Sequence, residues 1–258
     1  MPNPYLRNLN RIEFVVTMAC TGKCKHCSEG DHTGCAGHVD AANAEAAIRK
    51  VCGLYEIQTV MTFGGEPLLY PDVVCAIHRT AMAMKVPRRQ LITNGFFSTR
   101  IDRIREVVQQ LADSGVNDLL LSVDAFHQET IPLKPVLVFA DCAVRAGIPV
   151  RLSPAWLVSP EDQNPYNNQT REILRAFEPL AIPVGSGNVI FPSGNALKYL
   201  REYFDENVVA SSPYEDDPRD VRTISFAPDG EVLNGNFYQK DILDIIREYE
   251  PPAPASLV

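Results

Sequence analysis

Short apolar runs rich in β-branched residues alternate along this chain with longer segments whose apolar positions recur at helical spacing. This pattern predicts strands at 12–18, 57–63, 89–93, 118–123, 148–153 and 188–191. Helices are predicted between them at about 40–54, 72–85, 99–114, 134–146, 169–178 and 194–206. Repeated βα units build a parallel sheet. Because the strands are nearly continuous apolar runs, both sheet faces are expected to be covered. The fold class read from this is α/β, a partial (β/α)6 TIM-like barrel with its functional residues at the carboxyl ends of the strands. At 211–220 the pattern gives way to a polar, acidic, proline-containing loop. A small β-hairpin around Pro228, Asp229 and Gly230 and an amphipathic helix at 239–249 follow, and they are expected to cap the open side of the barrel. The division is therefore 1–210 for the barrel, 211–250 for the cap and 251–258 for a proline-rich tail expected to be disordered.

Length and composition narrow the class without changing that picture. At 258 residues the chain suits one domain able to bury a substantial core. A net charge of −8 with no run of Lys and Arg argues against nucleic acid as a partner and leaves a peptide or small molecule. No stretch approaches the ~18 consecutive apolar residues of a membrane span, and the first residues hold no cleavable apolar signal, so a cytoplasmic location is expected. The seven cysteines change the picture most. Cys20, Cys24, Cys27 and Cys35 fall within sixteen positions, while Cys52, Cys75 and Cys142 sit singly in apparent helices. An odd, clustered set is no disulfide framework and points to metal-binding or catalytic cysteines.

Cys20, Cys24 and Cys27 form C-x3-C-x2-C directly after the first strand. A [4Fe–4S] cluster has four irons to ligate, so three cysteines leave one iron open for another ligand. With His26 before the third cysteine, the motif resembles that of the radical S-adenosylmethionine (SAM) superfamily. The second strand ends in Gly64-Gly65-Glu66-Pro67, similar to the Gly-Gly-Glu-Pro at which that family places the SAM amino group. Glycines without Cβ permit close backbone approach to a ligand, and Glu66 can accept hydrogen bonds from an ammonium group. The third strand ends in Thr93-Asn94-Gly95 and the fourth in Ser122 and Asp124, where the resemblance places the SAM ribose and carboxylate. Lys134 stands near the position of an arginine that pairs with the SAM carboxylate in some relatives. Arg151 shares a strand face with Ser153 and, inside a covered sheet, needs a partner such as a ligand or Glu66.

The resemblance implies one [4Fe–4S] cluster on Cys20, Cys24 and Cys27, SAM on the open iron, and an external reductant such as flavodoxin or ferredoxin. It also implies reductive cleavage of SAM to a 5′-deoxyadenosyl radical that abstracts a substrate hydrogen. Cys35, His127 and Tyr166 are the candidate hydrogen or proton donors. The region around 224–249 is similar to the start of the cysteine-rich extension of peptide-modifying members. No cysteine follows Cys142, however, so auxiliary clusters are not expected there. Only about ten residues precede the first strand, so a peptide substrate would be presented by the barrel itself or by a partner. Two rivals stand beside this reading. One is a glycyl-radical-type activase or a non-catalytic accessory protein. The other is a zinc-binding structural protein using the three cysteines with His32, Cys35 or His38.

Overall fold

The computed structural model describes residues 3–205 and 216–252. The start of the acidic boundary loop (211–215) and most of the tail (253–258) lie outside the described residues. Strands β1 (Arg11–Thr17), β2 (Thr59–Gly64), β3 (Arg88–Thr93), β4 (Asp118–Ser122) and β5 (Val150–Ser153) appear where the sequence places them. So do helices α1 (Ala41–Cys52), α2 (Pro71–Ala83) and α3 (Ile101–Asp113). A four-residue helix not expected from the sequence, α4 (Ala125–Gln128), precedes α5 (Leu133–Arg145). After β5 come a short β6 (Ala155–Trp156), α6 (Pro165–Arg175), β7 (Asn188–Val189) and α7 (Gly194–Tyr199). The chain finishes with β8 (Thr223–Phe226), β9 (Glu231–Val232), β10 (Gly235–Asn236) and α8 (Ile242–Glu248).

The main sheet is six-stranded and parallel, in the order β5-β4-β3-β2-β1-β8. It is a partial barrel in the sense expected, but its sixth strand is not the predicted run at 188–191. Only Asn188 and Val189 of that run are extended, and they pair with β6 in a separate two-stranded ribbon. The sixth place is taken by β8, which the sequence reading assigned to a hairpin. Phe226 there stacks on Phe14 of β1 with ring centroids 4.8 Å apart. The turn at Pro228–Gly230 closes as expected, with the Ala227 amide donating to the Glu231 carbonyl at 2.9 Å. The two-stranded hairpin that follows is β9 with β10.

Strand alternation sorts the residues by chemistry. On β1, Ile12, Phe14 and Val16 are fully buried toward the helices, whereas Arg11, Glu13 and Val15 point to the inner face. Helix α8 adds Ile242, Ile245 and Ile246 to the same continuous core, so residues 216–250 share the sheet and core of the rest. The Asn3 side chain fastens this end by donating to the Ile246 and Tyr249 carbonyls at 2.9 and 2.7 Å. Among the described residues no helix is long and apolar enough to cross a membrane.

Candidate active site

The carboxyl end of β1 is the origin of the site. Gly64 adopts φ +130, and a Cβ on it would stand 2.4 Å from the Thr17 carbonyl oxygen; one on Gly65 would stand 2.2 Å from that of Ala19. The Gly65 amide donates to the Thr17 carbonyl and the Glu66 amide to the Ala19 carbonyl, each at 2.8 Å. The paired glycines are thus required for contact between the two strand ends, immediately before Cys20. This corrects the expectation that their missing Cβ atoms make room for a ligand, because backbone already fills that space.

Glu66 is corrected in the same way. Its carboxylate is fully buried and takes hydrogen bonds from the Leu68 amide (2.9 Å), the Thr93 hydroxyl (2.7 Å) and the Asn94 amide (2.9 Å). It braces β2 against β3, and its three donors and full burial turn it into the protein rather than toward a ligand. Burial raises the carboxyl to about 7 even though all three donors favour the charged form. Pro67 begins the buried turn that follows. Asn94, by contrast, faces the cysteines: its amide lies 3.8 Å from Cys20 Sγ and 3.2 Å from Thr21 Oγ1.

The three cysteines ride on a loop gripped from two sides. On one side, the Lys23 amide donates to the Thr130 hydroxyl at 3.0 Å, Lys25 pairs with Glu129 at 2.9 Å, and Gly22 lies against Ile131. On the other, the Asn195 amide donates to the Cys27 carbonyl at 2.9 Å. Its side chain donates to the Cys24 and Gly30 carbonyls, both at 3.1 Å. Gly194 fits there only because a Cβ would strike the carbonyls of Ser28 (2.3 Å) and Cys27 (2.5 Å). Sequence reasoning passed over this Ser193-Gly194-Asn195 clamp. The available signal was a small-residue triplet ahead of a helical pattern, the form of an ordinary helix start.

The thiols suit metal ligation. Burial pushes Cys20 up to about 11, with the Gly22 amide opposing and charge at Glu66 and Cys27 adding to it. Burial also raises Cys24, reinforced by Asp124 and Cys20, and raises Cys27. Such thiols hold their protons until a cation arrives, and binding then releases them. The Gly22 amide already points at Cys20 Sγ from 3.3 Å, and His32 Nε2 stands 3.2 Å from Cys27 Sγ. Three cysteines on one gripped loop, with polar groups directed at the sulfurs of two of them, supply the donor set for three corners of an iron–sulfur cluster.

The other candidates separate clearly. Asp124 is fully buried and caps α4, bonded to the His127 amide (2.9 Å), His127 Nδ1 (2.8 Å) and the Ala155 amide (3.0 Å). It is closed to a ribose diol, contrary to expectation, and its role is to hold His127. Burial works to raise its carboxyl, but the charge and hydrogen bonds of His127 win and hold it below the usual range. Ser122 ends β4 half-buried, in register with Ser153. Arg151 finds its partner in Asp118 at 2.7 Å, not in Glu66 or a ligand, within an inner-face network that includes Arg88 and Gln90. Lys134 does not reach the site; it lines an outer groove beside Ile101, Arg105 and Leu180 because α5 packs on the helical side of the sheet. Cys35 is exposed. Tyr166 stacks on Phe126 at 4.5 Å, one ring removed from His26, which lies 5.0 Å from Phe126.

Residues 14–141 match the profile of the Radical SAM superfamily. The chain is 24% identical over 131 residues to GTP 3′,8-cyclase of Moorella thermoacetica, covering 50% of this chain and 39% of that protein. It is 25% identical over 138 residues to pre-heme d1 synthase of Dinoroseobacter shibae, covering 53% of this chain and 34% of that protein. It thus spans between a third and four-tenths of the length of these relatives, which carry out different reactions. The solved structure of anSMEcpe with bound AdoMet superposes with a TM-score of 0.58 at 13% identity, covering 90% of this chain and 76% of that one, and shares the fold. The matched stretch holds all three clustered cysteines and the strand ends that brace them, and the chain belongs to the radical SAM superfamily.

Proposed function

We propose that this chain holds one [4Fe–4S] cluster on Cys20, Cys24 and Cys27, binds SAM at the iron that has no cysteine ligand and abstracts a hydrogen atom from a substrate. When bound and reduced, the cluster supplies the electron that cleaves SAM. The protein's part is to fix the ligands, exclude water and aim the products. The observation that carries this reading is the double grip on the cysteine loop, by 129–131 on one side and Asn195 on the other, above strand ends packed too closely to admit a Cβ. Such rigidity is what an open cluster requires, because its fourth corner has no protein ligand to hold it.

With Glu66 and Asp124 buried and each holding three internal donors, SAM recognition falls to other groups. In this reading the main-chain carbonyls of Gly64 and Gly65 accept from the ammonium group, and Asn94 and Ser122 are the side chains left at the strand ends. The inner face below carries Arg11, Glu13, Gln90, Asp118 and Arg151, most of them already paired. These groups lie toward the amino-terminal halves of their strands, away from the cysteine loop, and bind the strands to one another. The electron comes from a reductant of the flavodoxin or ferredoxin class. The reading is tested by supplying SAM and a strong reductant under anaerobic conditions. Wild-type protein is expected to form 5′-deoxyadenosine and methionine, and Cys24→Ala to form neither. Equal turnover by Cys24→Ala would refute it.

A further inference from the structure

Cys24 keeps company that the cluster does not use. Its Sγ, one ring nitrogen of His26 and one of His127 all lie within 4.8 Å of one another. His127 is oriented for ligation: Nδ1 bonds to Asp124 Oδ2 at 2.8 Å, which leaves Nε2 as the free ring nitrogen. Asp124 is itself immobilised by the His127 and Ala155 amides. A carboxylate behind a histidine is the usual outer support of a metal-binding imidazole, fixing its tautomer and raising its basicity. His26 is packed between the Phe126 and His127 rings, 5.0 and 4.9 Å away, and its Nδ1 is buried with no hydrogen-bond partner.

From this the geometry points to a second metal site: Cys24, His26 and His127 bind a single divalent ion of the Zn2+ or Co2+ class in protein that lacks the cluster, in competition with the cluster for Cys24 Sγ. One thiolate and two imidazoles are a borderline-soft donor set, and three protein ligands leave a fourth position for water. Binding displaces the Cys24 thiol proton to solvent, and both imidazoles ligate in their neutral form. Donors within 4.8 Å of one another reach the ~3.3–3.8 Å separation that tetrahedral bonds of ~2.0–2.3 Å set by closing at most about 1.5 Å. The competition rests on the cluster assignment proposed above; the mononuclear site itself does not.

Cluster-free protein titrated with Co2+ under anaerobic conditions tests this, because a cobalt–thiolate bond gives a charge-transfer absorption and tetrahedral Co2+ a visible band. The Cys20→Ser, Cys27→Ser double variant cannot hold the cluster, yet is expected to bind one Co2+ with both signals. Cys24→Ser is expected to lose the charge-transfer signal, and His26→Phe and His127→Gln each to weaken binding at least tenfold with unchanged circular dichroism. Zn2+ added before reconstitution is expected to suppress iron loading of the wild type, and a chelator to restore it. Loss of Co2+ binding in the double variant, or undiminished binding in both histidine variants, would overturn the proposal. Failure of the cluster assignment would appear separately, as full iron loading of the double variant.

Discussion

Two stretches flank the three cysteines, and they are built on opposite principles. Residues 64–67 and 93–95, at the ends of β2 and β3, are mostly buried and bonded to one another through Glu66. Residues 28–38 are mostly exposed, and a Cβ added at Gly30, Gly34 or Gly37 would meet nothing within 4 Å. Both are glycine-rich, so composition alone treats them alike. The contrast shows that glycine serves close approach in one stretch and only backbone conformation in the other, and that the rigid part of the site is the strand ends.

Substitutions in the two stretches are expected to differ in cost. The largest effect is expected from Gly65→Ala, whose Cβ has backbone rather than a movable side chain in its way. Stability is expected to fall by about 3 kcal/mol, read from the urea midpoint, together with loss of iron binding. Gly34→Ala carries only the penalty of a left-handed residue, roughly 1 kcal/mol, and is expected to retain its iron. Similar losses in the two variants would break the comparison.

Glu66→Gln gives a pH-dependent difference. The Glu66 carboxyl titrates near 7 in the folded state and near 4.5 in its ordinary surroundings. Between these values the native state keeps a proton that the unfolded chain releases, so this group's contribution to stability is full below pH 4.5 and is lost as pH rises through 7. Denaturation midpoints of wild type minus Glu66→Gln are expected to drift by about 3 kcal/mol over that window; a flat difference would contradict the buried carboxyl.

Asn195→Ala is expected to act locally. Removing two hydrogen bonds from the loop costs about 1–2 kcal/mol. Hydrogen exchange at the Cys27 and Gly30 amides is expected to accelerate roughly tenfold, with the sheet unchanged. The smallest effect belongs to Cys35→Ser, which is exposed and is expected to keep wild-type iron content.

Much of this arrangement was legible in the sequence because it rests on local periodicity. The first five strands and the helices α1, α2, α3 and α5 lie within two residues of their predicted positions. What the sequence concealed is pairing over distance. Thr223–Phe226 reads as the first arm of a hairpin, since Pro228-Asp229-Gly230 follows at once. Its parallel pairing with β1, with Phe226 stacked on Phe14, shows that it completes the sheet. The cysteines stood out by spacing, but the duties of their neighbours did not. Glu66 and Asp124 are acidic residues at strand ends, equally suited to ligand binding or to bracing, and the count of donors around each decides for bracing. Asn195 stands 168 positions beyond Cys27, and no local pattern connects them.

The proposed function stands on Cys20, Cys24 and Cys27 holding a cluster with one iron open to SAM. The most direct test is the electron paramagnetic resonance spectrum of the reduced, reconstituted protein before and after SAM is added, alongside its iron and sulfide content. About four iron and four sulfide per chain are expected, the count of a single cubane, with a spectrum that changes on SAM binding. Protein that stays colourless when reconstituted after zinc has been stripped with a chelator, or a cluster whose spectrum ignores SAM, would contradict it.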